Sequence, residues 1–128
     1  MKPYQKIQHK ILLGAMEFGY FTNLIITEAN IDEMYDDFVD TGMHWGYESE
    51  FREGEVETGL ACDGNRHYEA KAVAAKMVDG SWVGWTYWYG GGKHSDPGSI
   101  RWMEDAYALE CAETEKLVVV REFKVVPE

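Results

Sequence analysis

The sequence predicts an α+β domain: a mostly antiparallel sheet, in the order hairpin, helix, three-strand meander, helix and strand, with two helices on one face. Three observations carry that prediction. Two Asp-Gly pairs, Asp63-Gly64 and Asp79-Gly80, are tight-turn signals that divide residues 55–90 into strand-length runs. Apolar residues recur at helical spacing from Ile31 to Val39. A run of β-formers, Leu117-Val118-Val119-Val120, lies further on. At 128 residues and 14.7 kDa, residues 1–128 read as a single domain, large enough to hold a core without covalent staples.

Residues 5–16 place Ile7, His9, Ile11, Leu13 and Ala15 on one face of a strand. A helix through Tyr4, Ile7, Ile11 and Ala15 fits the same stretch, and the β-branched content together with Gly19 favours the strand. Residues 20–27 then read as its hairpin partner. The first helix is clearer. Asn30 and Glu33 have capping-box spacing, and Ile31, Met34, Tyr35, Phe38 and Val39 follow as a buried stripe ended by Gly42. Residues 43–57 read as a long loop with aromatic anchors Trp45, Tyr47 and Phe51. Strands are expected over about 56–62, 66–78 and 81–89. The middle one has strong helix propensity, but the flanking Asp-Gly turns decide for a strand. Asp96-Pro97 opens a second helix buried through Ile100, Met103, Ala106 and Tyr107. Residues 117–126 close the sheet as a central strand.

The formal charge is −11, and its distribution is uneven. Residues 28–57 hold eleven carboxylates (Glu28, Asp32, Glu33, Asp36, Asp37, Asp40, Glu48, Glu50, Glu53, Glu55 and Glu57) against one base, Arg52. That quarter of the chain therefore carries −10, which gives a directional field rather than a diffuse one. The bland account is a solvated helix face followed by a hydrophilic loop. The functional account is an acidic surface, Asp32, Asp36, Asp37, Asp40, Glu48 and Glu50, that meets a basic partner protein, with Trp45 and Tyr47 supplying lasting contact. Acidic residues near the end of a helix oppose its dipole, so this charge is not placed for stability. Direct nucleic-acid binding is disfavoured, because phosphate contacts need a basic stripe. No Asp-x-Asp-x-Asp-Gly calcium loop occurs.

No apolar run approaches a membrane span, and the opening residues Met1 to Lys6 lack the apolar core of a signal peptide. Cys62 and Cys111 are too few for a disulfide scaffold and form no Cys-x-x-Cys. The expectation is a soluble cytoplasmic protein with reduced thiols and no membrane partner.

Chemistry-bearing motifs are sparse. Gly90, Gly91, Gly92, Lys93 and His94 lie between an aromatic strand and the Asp96-Pro97 helix start, a geometry that offers free N–H groups to an anion. The phosphate-loop pattern fails, because Tyr87 and His94 stand where Gly and Ser or Thr are required. The dinucleotide pattern fails at Ser95. A sharp turn past bulky aromatics accounts for the same three glycines. His9, His44, His67 and His94 have no metal-ligand spacing, so neither a metal nor a cofactor is expected, and the weak constellations argue against an enzyme. On the strand at 82–89, Trp82, Gly84, Thr86 and Trp88 face one way and Val83, Trp85, Tyr87 and Tyr89 the other. An exposed aromatic face there would serve a partner or a homodimer.

The segment Trp82-Val83-Gly84-Trp85-Thr86-Tyr87-Trp88-Tyr89-Gly90-Gly91-Gly92-Lys93-His94, followed by Pro97, Ile100, Trp102-Met103 and Ala106-Tyr107, resembles a group of small bacteriophage and prophage proteins of unknown function. The resemblance covers about residues 68–124. It implies a viral or mobile-element origin and action in a bacterial cytoplasm, and it transfers no catalytic residue. The leading expectation is thus a non-enzymatic accessory protein, an inhibitor of a host or defence protein with a basic surface. The alternative is an anion or nucleotide-like ligand site, or a small enzyme, at Gly90–His94. The third is a self-associating structural protein.

Overall fold

The computed structural model describes residues 1–19, 25–92 and 96–127. Among these residues it is an α+β fold, as the sequence predicts, with three α-helices and a four-stranded antiparallel sheet. The helices are α1 (Pro3–Glu17), α2 (Ile31–Asp40) and α3 (His44–Phe51). The strands are β1 (Val56–Glu57), β2 (Glu69–Lys76), β3 (Trp82–Tyr89) and β4 (Tyr107–Leu109), joined as a meander in chain order.

Residues 5–16 are helical, not a strand. Pro3 sits at the first helical positions, and Gln5 Oε1 accepts the backbone N–H of Lys2 at 2.8 Å. Ile7, Ile11, Leu12 and Ala15 are all buried, a stripe of helical period that outweighs the β-branched bias of two isoleucines. Gly19, with φ of 79°, ends this helix instead of turning a hairpin. Most of the expected strand at 20–27 lies outside the described residues, and Ile25–Thr27 carries no strand.

Helix α2 forms where expected, with Ile31, Tyr35 and Phe38 buried, while Val39 stays 38% exposed at the rim. Its capping box does not form. Asn30 instead accepts the Thr27 N–H at 2.8 Å and donates to the Ile25 carbonyl at 2.9 Å, folding the entry loop. The expected loop at 43–57 contains α3 and β1. Gly42, at φ of 75°, breaks α2 from α3, and His44, Tyr47, Glu48 and Phe51 then recur at spacings of three and four.

The three-strand meander holds, with full β2–β3 pairing from Glu69↔Tyr89 to Lys76↔Trp82. Gly80 takes the positive φ that the Asp79-Gly80 turn requires, at 85°. At Asp63-Gly64 neither residue does, and the reversal instead centres on Asn65, whose side chain accepts the N–H groups of His67 and Tyr68. The second helix starts at Asp96-Pro97 as predicted, with Asp96 accepting the Gly98 N–H at 3.0 Å, but it is a single 3-10 turn, Pro97–Ser99. Tyr107, expected in that helix, opens β4 instead. Residues 117–126 are not a central strand. They run exposed beyond β4, and the sheet's fourth place is taken by Tyr107–Leu109.

The core lies between the helices and one face of the sheet. Ile7, Ile11 and Leu12 of α1, Ile31 and Phe38 of α2, and Val73, Val83 and Trp85 of the sheet meet there. Trp85 is fully buried between Phe51 and Trp102, each 5.5 Å away by ring centroid, and its indole N–H donates to the Arg52 carbonyl at 2.8 Å. The other face is built of Ala72, Ala74 and Gly84, flanked by Trp82 and Trp88. Tyr107 and Leu109 cover it, and the Cys62 thiol lies 3.7 Å from the Thr86 hydroxyl. Every residue of the aromatic strand is buried or partly buried, the second face being covered by β4 and Cys62, so the strand presents no fully exposed aromatic face.

Candidate binding surface

Helical periodicity puts Asp32, Glu33, Asp36, Asp37 and Asp40 on the side of α2 away from the core, and all five are exposed. The last turn of α2 holds no basic residue. Among the described residues, Asp36, Asp37 and Asp40 form no ion pair, whereas Glu28, Glu55, Glu57 and Asp79 each have a cationic partner. Their charge is consequently presented to solvent rather than spent within the fold. Asp32 is the most inward of the set and accepts a long hydrogen bond, 3.4 Å, from the Gln5 amide of α1.

Helix α3 extends this surface unevenly. Glu50 is exposed, but Glu48 is half-buried and accepts the hydroxyl of Tyr35, clasping α3 to α2. Burial of Tyr35, then the hydrogen bond and the negative charge of Glu48, push the phenol well above its ordinary range. Glu48 is thus a fastening of the surface. Trp45 is 63% exposed, with His44 beneath it at 4.5 Å between ring centroids, and Met43 is 51% exposed. Tyr47 is turned inward and packs edge-on to Phe38 at 5.8 Å. Of the two predicted aromatic contacts, Trp45 is at the surface and Tyr47 supports it. Met43 and Val39 are exposed too and were not expected to be; Val39 closes the apolar stripe of α2, and that end position is the signal the sequence carries for it.

A hollow of about 310 Å³ opens between α1, α3 and the start of β1, lined by Ile11, Gly14, Tyr47 and Phe51, with Glu50 and Glu55 at its rim. Lys10 closes one side, with its ammonium 2.6 Å from Glu55 and donating also to the Lys76 carbonyl. Partial burial raises the Glu55 carboxyl, but the bonds from Lys10 and the Lys76 N–H outweigh it and the net shift is downward. Arg52, the lone base of the acidic segment, is structural. Its guanidinium donates to the Trp88 carbonyl at 2.9 Å and lies 4.8 Å from the Tyr87 ring centroid.

The Gly-rich loop is described only to Gly92; Lys93 and His94 lie outside the described residues. Gly90, Gly91 and Gly92 all have positive φ, 77°, 89° and 78°. Only glycine takes three such conformations in succession cheaply, which accounts for the composition of the turn. The following 3-10 turn has its N–H groups engaged, Gly98 by the Asp96 carboxylate and Ser99 by the Asp96 carbonyl. Among the described residues, no cluster of three His, Cys, Asp or Glu groups could hold a metal ion, and no helix is long and apolar enough to cross a membrane. Cys62 and Cys111 are unpaired by disulfide.

Comparison with protein-family models, with curated proteins and with solved structures finds no match to this chain.

Proposed function

We propose that this chain is a non-enzymatic accessory protein of a bacteriophage or mobile element, which binds a basic host or defence protein in the bacterial cytoplasm through its acidic helical face. The observation that carries this reading is the exposed, unpaired carboxylate row Asp36, Asp37 and Asp40 beside the exposed apolar Met43 and Trp45. Charge of one sign steers a basic partner into encounter, and an exposed indole supplies the desolvated anchor that holds it. Asp32 and Glu50 widen the field, while Glu48 and Tyr47 hold α3 in place. The phage origin comes from the resemblance over about residues 68–124 alone.

The test is capture of partners from bacterial lysate at low and high salt, with the Asp36→Lys, Asp37→Lys, Asp40→Lys variant alongside. A single stoichiometric partner is expected, weakened by salt and lost in the variant. A partner captured equally by both forms would overturn the reading.

A further inference from the structure

Residues 110–127 leave the sheet at Leu109 and continue as an exposed segment. Leu117, Val118, Val119, Val120, Phe123, Val125 and Val126 are between 74% and 105% exposed, a set of large apolar side chains that a folded monomer rarely offers to water. Among the described residues, none of the backbone hydrogen bonds outside helices and strands involves residues 110–127. Residues 117–126 have high β propensity, and the segment is the direct continuation of β4, whose outer edge ends the sheet.

Three features identify what it pairs with. Between Glu110 and Val126 there is no Gly, Pro, Asn or Asp, so the segment lacks the residues with which a chain turns back to pair with itself. Its charge is divided by position. Residues 104–115 carry five acids (Glu104, Asp105, Glu110, Glu113 and Glu115) and no base, whereas residues 116–126 carry Lys116, Arg121 and Lys124 against Glu122 alone. In an antiparallel pair of two identical segments, the basic half of each lies along the acidic half of the other; in a parallel pair, like charges meet. Finally, antiparallel pairing of residues 107–126 with the same residues of a second copy places a two-fold axis between them, so the contact of arm with β4 is made twice.

We infer that two copies of this chain associate through residues 107–126, the arm 117–126 of each adding as an antiparallel strand to the outer edge of β4 in the other. Pairing removes the arm's main chain and part of its apolar side chains from water, and does so in both copies at once. The pairing also closes the exposed β4 edge against open-ended association.

The full chain is examined by sedimentation and light scattering across a concentration series, with hydrogen exchange read at the arm. A particle of twice the 14.7 kDa chain mass is expected, with amides of 117–126 protected. The Val119→Asp, Phe123→Asp variant is expected to be monomeric, to lose that protection and to keep the far-ultraviolet spectrum of the parent. Val119 and Phe123 are 74% and 86% exposed within one copy, so folding is retained. Arg121→Glu with Lys124→Glu provides a milder second variant, expected to weaken the dimer and to recover it partly at high salt. A monomeric parent, a dimer that survives both variants, or assemblies that grow without limit would each overturn the inference. So would a monomer with its arm protected, which would place the arm on its own body.

Discussion

At the scale of single residues, the chain is fastened by polar groups whose positions are set by the turns they close. Asp79 is the clearest. Its carboxylate accepts the hydroxyl and N–H of Ser81 and faces the Lys6 ammonium at 3.2 Å, tying α1 to the β2–β3 turn. The bonds from Ser81, with Lys6 behind them, lower its pKa from 3.8 to about 2. Because the folded value lies below the unfolded one, the contribution to stability is complete above the ordinary carboxylate range and is lost as pH falls through about 2. A carbon-detected titration should give Asp79 a midpoint near 2, and Asp79→Asn should remove that part of the acid dependence. A midpoint at the ordinary 3.8 would show that the turn does not hold the carboxylate in solution. The sequence announces this residue only as a turn former. Its bond to Ser81 follows from local spacing, but its pairing with Lys6 depends on residues 5–16 being helical, since the helix brings Lys6 and Lys10 to one side of the sheet.

At the scale of elements, what was legible depended on whether a pattern had one partner or two. The helix over 31–40 is readable from its clean period and clear stop, and the strands flanking Asp79-Gly80 from the turn between them, since the first has helix propensity and the second carries aromatics on both faces. Residues 5–16 satisfied both periods, and burial of Ile7, Ile11, Leu12 and Ala15 together decided for the helix. Helix α3 was hidden because glycine and polar residues separate the inward-facing His44, Tyr47 and Phe51. The fourth strand was misplaced for a different reason. Leu117–Val120 has the better β composition, but β4 docks at Tyr107–Leu109 because Gly84 leaves room there. A Cβ at position 84 would lie 2.6 Å from Leu109 Cδ1 and 2.8 Å from Tyr107 Cε2. Gly84→Val should therefore displace β4 and cost about 1–3 kcal/mol, the usual penalty of overpacking. Gly84→Ala should cost less, because the tip of Leu109 can rotate aside. Thermal unfolding and hydrogen exchange at Trp82–Gly84 check this. An unaltered melt for the valine variant would mean that β4 does not rely on the glycine.

At the scale of the whole molecule, the acidic face is a cost to the fold, because like charges repel and the carboxylates of its last turn oppose the helix dipole. The charge division between residues 28–57 and the remainder was fully legible in sequence, since charge needs no fold to be counted. What the fold adds is which carboxylates are engaged: Glu48, Glu55 and Glu57 hold elements together, and Asp36, Asp37 and Asp40 hold nothing among the described residues. The last two acids sit in the closing turn of α2, where the helix dipole is negative. Replacing the three by lysine removes this opposition and much of the local self-repulsion, so the variant should be at least as stable as the parent. At a few tenths of a kcal/mol per site the gain is about 1 kcal/mol, or about 4 °C in Tm. Raising ionic strength to about 1 M shortens the screening length from about 8 Å to about 3 Å, which should raise the parent's Tm and narrow the gap. Melts of both forms at low and high salt decide the matter. A variant less stable than its parent at low salt would mean that these carboxylates contribute to the fold, and their exposure would then be structural rather than reserved for a partner.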